Sequence, residues 1–213
     1  MKGTDMQVAI VLYPGFTSLD VIGPYEVLGR LPDTEVVFVA EEPGLVVNDL
    51  KSLSINVVAT FDDVAEPDVV LVGGGPGQVR QMSSERLLEW LRTVDRTSKW
   101  TTAVCTGTFL LAAAGLLEGR RATTHWGALD GLADFGVTPS KERVVIDGHY
   151  ATGAGVSAGI DMALTLAGLI AGDDVAQAVQ LIIEYAPEPP YSAGSVDSAP
   201  AAVVERAWKE MSA

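Results

Sequence analysis

Cysteine, histidine and basic side chains are scarce in this chain of 213 residues. One cysteine excludes an internal disulfide and any multi-cysteine zinc or iron–sulfur site, and two histidines leave few ligands for a metal ion. Lys and Arg number 14 against 28 Asp and Glu, which gives a formal charge of -14 at pH 7. Such a charge opposes binding to nucleic-acid backbones and to anionic membranes. The composition therefore predicts no metal site, no nucleic-acid partner and no membrane partner.

Hydrophobic segments that would export or anchor the protein are also lacking. Residues 1–5 run directly into an apolar strand, without the apolar core and cleavage site of a secretory signal. The apolar stretch 154–172 contains Asp161 and several glycines, which favours a buried helix over a membrane span. We therefore expect a cytoplasmic protein, in which a lone cysteine stays reduced.

Strand-like and helix-like apolar segments alternate along the chain. With 48% hydrophobic and 20% charged residues, the chain can bury the core of one folded domain, predicted to span 1–213. Strands are predicted at 7–12, 35–40, 45–47, 55–59, 68–72, 100–104, 122–125 and 143–146, and helices at 19–31, 84–96, 108–117, 129–135, 158–171, 175–185 and 201–211. This alternation is typical of a three-layer α/β sandwich with a mostly parallel central sheet.

Proline marks two places in this pattern. Pro24 is expected in the first turn of the first helix, where its missing N–H group removes no hydrogen bond. The segment 187–200 is rich in Pro, Ser and Gly, so we expect an extended arm that precedes the C-terminal helix.

The single cysteine, Cys105, follows a predicted strand and precedes a predicted helix. A cysteine on such a turn points into the crevice at the carboxyl end of the sheet, and the helix N-terminus behind it favours the thiolate. The N–H groups of Thr106 and of Gly107 would face negative charge that develops beside the sulfur. The alternative is a small buried hydrophobic residue. The pattern favours a nucleophile.

Three further features follow predicted strands. In the glycine run 73–77, Gly74 and Gly75 let N–H groups approach a substrate or an oxyanion, although a plain tight turn is the alternative. Asp20 is either a helix cap or a carboxylate that exchanges protons with the cysteine. His125 either pairs with the cysteine or orients its neighbours through hydrogen bonds.

The segment 155–159, GVSAG, matches the G-x-S-x-G pattern of serine hydrolases. In α/β-hydrolases the acid and the histidine follow the serine, whereas His125 and His149 both precede Ser157. We therefore interpret these small residues as a place where a helix packs closely on the sheet.

Several short blocks together resemble the ThiJ/PfpI superfamily over essentially the whole chain. They are LD (19–20) with GP (23–24), GG (74–75), VCTG (104–107), GLL (115–117) with GRRATTHW (119–126), and AGID (158–161). Within the superfamily the chain is most similar to the isocyanide (isonitrile) hydratases, including the tail segments EYAP (184–187), PP (189–190), AGS (193–195) and AP (199–200). The resemblance implies a flavodoxin-like fold of the class I glutamine amidotransferase type and a homodimer. We expect the extended arm to pack across that dimer, and an arm that wraps its own subunit is the alternative. One departure is Gly73, where related sequences usually have proline.

The resemblance also implies an activity, the hydration of an isocyanide to an N-substituted formamide. Cys105 would be the nucleophile that forms a covalent thioimidate, Asp20 the acid and base, and Thr106 a supporting residue. Gly74 and Gly75 would bind the substrate or an oxyanion. This chemistry needs a small-molecule substrate and neither a metal nor an organic cofactor.

Two alternatives stay open alongside this activity. One is glyoxalase-like or deglycase chemistry on α-oxoaldehydes, for which His125 would matter. The other is a non-enzymatic role, with Cys105 as an oxidation sensor or the protein as a binding module. Transcription regulators of the superfamily share some of these blocks, but the chain ends at Ala213, just after the last predicted helix. We therefore expect a stand-alone enzyme without a DNA-binding domain.

Overall fold

The computed structural model divides into two units, and the chain passes from the first to the second between Ile183 and Glu184. A seven-stranded sheet forms the centre of the first unit. The structure describes residues 6–211. The strands are β1 (Met6–Val11), β2 (Thr34–Ala40), β3 (Gly44–Val47), β4 (Ser54–Val57), β5 (Ala59–Thr60), β6 (Val69–Val72), β7 (Trp100–Val104), β8 (Arg121–Ala122), β9 (Thr138–Pro139), β10 (Val144–Asp147) and β11 (Tyr150–Gly153). The helices are α1 (Ser18–Leu28), α2 (Gln78–Gln81), α3 (Glu85–Asp95), α4 (Thr108–Ala113), α5 (Ala158–Ala171), α6 (Asp173–Ile182) and α7 (Ala201–Met211), with 3₁₀ turns at Cys105–Gly107 and Trp126–Phe135.

The strand order in the central sheet is β10-β11-β7-β6-β1-β2-β5. The β10–β11 pair is antiparallel, and the other neighbouring pairs are parallel. The central strand β6 is buried along its whole length, because helices cover both faces of the sheet. The chain therefore has the predicted α/β sandwich with a mostly parallel central sheet. β3 with β4, and β8 with β9, form two small separate sheets.

The register of the parallel strands sets where the site can form. Val72 lies opposite both Val11 and Ala103, and Val104 lies opposite Gly153. The residues that follow β1, β6, β7 and β11 therefore line one edge of the sheet. Ligands of open α/β folds bind outside this carboxyl edge.

Pro24 lies in the middle of α1, so its expected place in the first turn is wrong. The helix begins at Ser18, and Pro24 therefore removes the hydrogen bond that the Asp20 carbonyl would accept. Packing against α5 compensates, since the Pro24 ring lies 3.1 Å from the point where a Cβ on Gly159 would stand. A side chain at Gly159 would separate the two helices.

Several other elements differ from the prediction. The helix predicted at 108–117 ends at Ala113, shortly before Gly115 with its φ of 79°. The strand predicted at 122–125 is reduced to Arg121–Ala122, and β11 was not predicted. Short strands such as β8 carry too few residues for an apolar period to show in the sequence.

The second unit begins at Glu184. Residues 184–200 contain a turn in which the Ser195 and Ser198 hydroxyl oxygens lie 2.8 Å apart, and the predicted C-terminal helix follows as α7. That 187–200 acts as an extended arm, and that 1–213 is one domain, stay predictions. Among residues 6–211, no helix combines the length and apolar character needed to cross a membrane.

Candidate active site

Cys105 lies at the turn between β7 and α4, as predicted. Its φ of 57° is in the left-handed region, which costs a non-glycine residue about 1 kcal/mol. Two hydrogen bonds hold this conformation: the Cys105 N–H donates to the Ala154 carbonyl at 2.8 Å, and Thr124 Oγ1 donates to the Cys105 carbonyl at 2.7 Å. Gly107 keeps the turn tight, because a Cβ there would come within 2.3 Å of the Val72 carbonyl oxygen.

Asp20 lies in the first turn of α1 with its side chain fully buried. Its Oδ2 accepts the Gly74 N–H at 2.7 Å, whereas Oδ1 has no hydrogen-bond partner among the described residues. The N-cap position of α1 belongs to Thr17, so Asp20 does not cap the helix. The Cys105 thiol interacts with the Asp20 carboxyl group, but no well-directed hydrogen bond satisfies Oδ1. A buried carboxylate with a free lone pair can accept a proton.

Burial raises the pKa of Asp20 to about 7. The hydrogen bond from the Gly74 N–H and the interaction with the Cys105 thiol act in the opposite direction, and the negative charge of Asp49 raises the pKa further. Asp20 is therefore a carboxyl group whose proton affinity suits acid and base work near neutral pH.

The expectation that Cys105 is a thiolate at neutral pH is wrong for this structure. Burial, followed by the Asp20 charge, raises the pKa of Cys105 to about 12, while N–H groups of Val156 and Thr106 lower it. The helix behind the cysteine, α4, has six residues. Because the Asp20 charge is one cause of the raised pKa of Cys105, the two groups titrate as a pair, and Cys105 keeps its proton at neutral pH.

The glycine loop after β6 holds these side chains in place. The Gly74 N–H donates to Asp20, and the Gly75 N–H donates to Thr106 Oγ1 at 3.0 Å. A Cβ at Gly74 would lie 2.5 Å from the Thr106 nitrogen, which explains the glycine. Because both N–H groups already donate to side chains, a role in substrate or oxyanion binding stays a prediction that requires one of these bonds to open.

Main-chain N–H groups of Thr106 and Val156 act on the Cys105 sulfur. The sequence indicated Thr106 and Gly107 for this place, so Val156 is a residue that sequence reasoning missed. It belongs to the GVSAG segment, which follows β11, and the pairing of Val104 with Gly153 brings that segment beside the cysteine. A main-chain donor leaves no signal in the residue type, and only the strand register could have indicated it.

His125 is anchored to the main chain. Its Nδ1 accepts the Gly127 N–H at 3.2 Å, and its Cδ2 lies 2.8 Å from where a Cβ on Gly155 would stand. Burial lowers the pKa of His125 and so favours the neutral ring. The polar groups that act on Cys105 are Asp20 and the two N–H groups, so the structure gives no support to a Cys105–His125 pair. An orienting role for His125 stays a prediction. No cluster of three or more His, Cys, Asp or Glu side chains suited to a metal ion occurs within residues 6–211.

Comparison with known proteins gives the family. The family model described as "DJ-1/PfpI family" matches residues 6–168. The chain belongs to the DJ-1/PfpI family. It is 46% identical over 204 residues to an isonitrile hydratase from Pseudomonas putida, an alignment that covers 96% of this chain and 89% of that protein. The crystal structure of a ThiJ/PfpI family protein from Pseudomonas syringae superimposes with a TM-score of 0.93 at 37% identity, covering 98% of this chain and 86% of that chain.

The family also includes proteins of other functions. A deglycase from Pyrococcus furiosus is 31% identical over 137 residues, which cover 63% of this chain and 81% of that protein. The HTH-type transcriptional regulator CdhR from Pseudomonas aeruginosa is 32% identical over 162 residues, which cover 73% of this chain but 48% of the regulator. The predicted ThiJ/PfpI membership and the predicted similarity to isonitrile hydratases are both confirmed.

Proposed function

We propose that this protein is an isocyanide hydratase, which adds water to an isocyanide to give an N-substituted formamide. The observation that carries the proposal is that the turn after β7 and the first turn of α1 bring Cys105 and the buried Asp20 carboxyl group together, so that each acts on the pKa of the other. The isonitrile hydratase from Pseudomonas putida aligns with almost the whole chain.

In the first step, sulfur attacks the terminal carbon of the isocyanide. The thiol proton passes from Cys105 to the Asp20 carboxylate as the sulfur–carbon bond forms, and Asp20 delivers this proton to the same carbon. The product is a thioimidate, in which that carbon carries one hydrogen, a double bond to nitrogen and a single bond to sulfur. The Cys105 thiol and the Asp20 carboxylate therefore supply the nucleophile and, after the proton transfer, the acid.

In the second step, water adds to the thioimidate carbon. Asp20, again a carboxylate, accepts a proton from the water and passes it to the nitrogen. The remaining hydroxyl proton then returns through Asp20 to the sulfur as the carbon–sulfur bond breaks. The formamide leaves, Cys105 is again a thiol, and one water has been consumed. The N–H groups of Thr106 and Val156 would stabilise negative charge on the sulfur when it attacks and when it leaves.

The test is direct turnover of isocyanides. Purified protein is given cyclohexyl and para-nitrophenyl isocyanide, formamide is quantified by liquid chromatography with mass detection, and Cys105→Ala and Asp20→Asn proteins serve as comparisons. We expect formamide from the wild-type protein and none above background from Cys105→Ala. Intact-mass measurement of the wild-type protein during turnover should show an adduct of the isocyanide's own mass. Turnover by Cys105→Ala would overturn the mechanism.

Methylglyoxal is tested in parallel, because the deglycase relative points to chemistry on α-oxoaldehydes. Consumption of methylglyoxal without consumption of any isocyanide would assign the protein to the alternative function. Inertness toward both, with selective oxidation of Cys105 by mild peroxide, would support the non-enzymatic role.

We further propose that the enzyme works as a homodimer in the cytoplasm on a small-molecule substrate, without nucleic acid. Large apolar side chains are exposed on and beside the β3–β4 hairpin, among them Leu45, Leu50 and Val58, which are 70–79% exposed. Apolar surface of this kind is typical of an interface between proteins. A monomeric mass by light scattering would remove the dimer from the proposal.

A further inference from the structure

One peptide group connects two buried side chains at the site. The Tyr13 hydroxyl donates to the Gly73 carbonyl oxygen at 2.7 Å. The N–H of the same peptide group, which belongs to Gly74, donates to Asp20 Oδ2 at 2.7 Å. Tyr13 is 3% exposed and Asp20 is 0% exposed, so this chain of two hydrogen bonds lies away from water.

Hydrogen bonds arranged in series strengthen one another. A donor to a peptide carbonyl polarises the peptide group and makes its N–H a stronger donor, and low local dielectric preserves the effect. We propose that Tyr13 is a positioning residue for the hydration reaction, which acts through the Gly73–Gly74 peptide group to strengthen the hydrogen bond that Asp20 accepts. The inference rests on the proposed function, but its central claim concerns the proton affinity of Asp20 and can be tested without substrate.

The charged and titratable groups around Asp20 are consistent with this role. Cys105 and Asp49 act on Asp20 from the turn after β7 and from the loop after β3. Burial, together with the negative charges of Asp20, Cys105 and Asp49, raises the pKa of Tyr13 well above its usual value. The phenol therefore keeps its proton across the range in which Asp20 titrates, and it remains a donor throughout.

The experiment compares Tyr13→Phe with the wild-type protein. The Asp20 carboxyl carbon is followed by carbon-13 NMR over pH 4–9, with Asp20→Asn to assign the signal, and the pH profile of kcat/KM is measured with an isocyanide. In Tyr13→Phe we expect the pKa of Asp20 to rise by roughly 0.3 unit or more, which is about a twofold change in proton affinity. The acid limb of the kcat/KM profile should move by the same amount. A role in stability alone would lower the unfolding temperature and leave the pKa of Asp20 in place.

Tyr150→Phe is the matched control. Tyr150 is 4% exposed, and its hydroxyl donates to a different carboxylate, Asp95 Oδ2, at 2.9 Å. Tyr150 lies four residues before Ala154, or about 13 Å along the strand direction from the edge that carries the site. We expect no change in the pKa of Asp20 in this variant.

A second variant should change the pKa of Asp20 in the opposite direction. Replacing Tyr13 alone by 3-fluorotyrosine keeps the ring and the hydroxyl but makes the phenol a stronger donor, so the pKa of Asp20 should fall. If Tyr13→Phe does not fold, the 3-fluorotyrosine variant alone tests whether Tyr13 affects the pKa of Asp20. An Asp20 pKa that is the same in the folded variants and the wild-type protein would overturn the inference. If no isocyanide is turned over, the NMR titration still decides, so failure of the proposed function and failure of this inference can be told apart.

Discussion

The carboxyl group of Asp20 is fully buried against Cys105, with one oxygen held by the Gly74 N–H and the other without a partner among the described residues. Burial of a charge for chemistry costs stability. The pKa of Asp20 rises from 3.8 to about 7 on folding. Below pH 3.8 the group is protonated in both the folded and the unfolded chain and has no effect. Between these two values only the unfolded chain loses its proton, so folding stability falls as the pH rises, and above about 7 the loss is constant.

Asp20→Asn should therefore stabilise the protein increasingly as the pH rises. The free energy of unfolding of Asp20→Asn, relative to wild type, should increase from pH 4 to pH 8 by up to about 4 kcal/mol. Urea unfolding at both pH values measures this difference. A difference that does not change with pH would contradict the raised pKa.

Asp20→Asn should also separate thiol reactivity from turnover. Loss of the Asp20 charge lowers the pKa of Cys105, because that charge is the second cause of its elevation after burial. At pH 8 we expect alkylation of Cys105 by iodoacetamide to be about tenfold faster than in wild type, while isocyanide turnover falls by about 10²–10⁴-fold. Mass spectrometry follows the alkylation cleanly, since the chain has one cysteine. Slower alkylation in the variant would show that Asp20 activates the resting thiol.

Gly74→Ala tests the loop that holds the pair. The added Cβ would lie 2.5 Å from the Thr106 nitrogen and 2.9 Å from Asp20 Oδ2, so the loop has to move away from both residues. We expect kcat/KM to fall by about 10²-fold or more, since displacement of a catalytic group by about 1 Å has this effect. Gly194→Ala is the control, because its Cβ would meet no atom within 4 Å. Equal activities in the two variants would rule out the positioning role of Gly74.

Much of the fold was predictable because long apolar strands and amphipathic helices have periods that show in the sequence. β7, α5 and α7 have the predicted bounds, whereas the strand β8 has two residues, which is one strand period and too short to show as a pattern. The position of Cys105 on its turn was predictable for the same reason. Its protonation state was not, because burial and the nearby carboxylate depend on how distant segments pack.

The contributions of Val156 and Tyr13 show a second limit of sequence reasoning. Val156 acts through its main-chain N–H, and Tyr13 acts on the Gly73 carbonyl 60 residues away. A valine or a tyrosine in the sequence does not by itself indicate either of these hydrogen bonds. The short blocks that identify the family are defined by their side chains. Much of this site, however, consists of main-chain peptide groups whose positions are set by the sheet register.

His125→Asn tests whether the histidine takes part in the chemistry. The asparagine Oδ1 can replace Nδ1 as the acceptor of the Gly127 N–H, which preserves the local turn. Since Asp20 supplies the acid and base of the proposed reaction, we expect kcat/KM for an isocyanide to stay within about tenfold of wild type. The kcat/KM of His125→Ala, which lacks an acceptor for the Gly127 N–H, shows how much activity is lost when this turn is disrupted. A loss of about 10²-fold or more in a stable His125→Asn protein would give the ring a chemical role.

The last prediction concerns the fit between Gly73 and Val21. A Cβ on Gly73 would lie 2.7 Å from Val21 Cγ1, and Val21 is a fully buried, branched side chain with little room to turn. Gly73→Ala alone should therefore destabilise the protein by about 1–3 kcal/mol through overpacking, and Val21→Ala alone by about 2 kcal/mol through the space it leaves. In the double variant the new methyl group enters that space. The double variant should therefore be destabilised by at least about 1 kcal/mol less than the sum of the two single-variant losses.

Gly73→Ala combined with Val27→Ala is the control pair for this cycle. Val27 is equally buried in α1 but lies six residues further along it, about 9 Å from Val21 along the helix axis. Residues at this separation usually contribute independently, so the control pair should be additive within about 0.5 kcal/mol. Urea unfolding of the single and double variants measures both cycles. If the losses in the Val21 pair are also additive, the loop after β6 relaxes around a side chain at position 73. Contact with Val21 would then not explain why this position is a glycine.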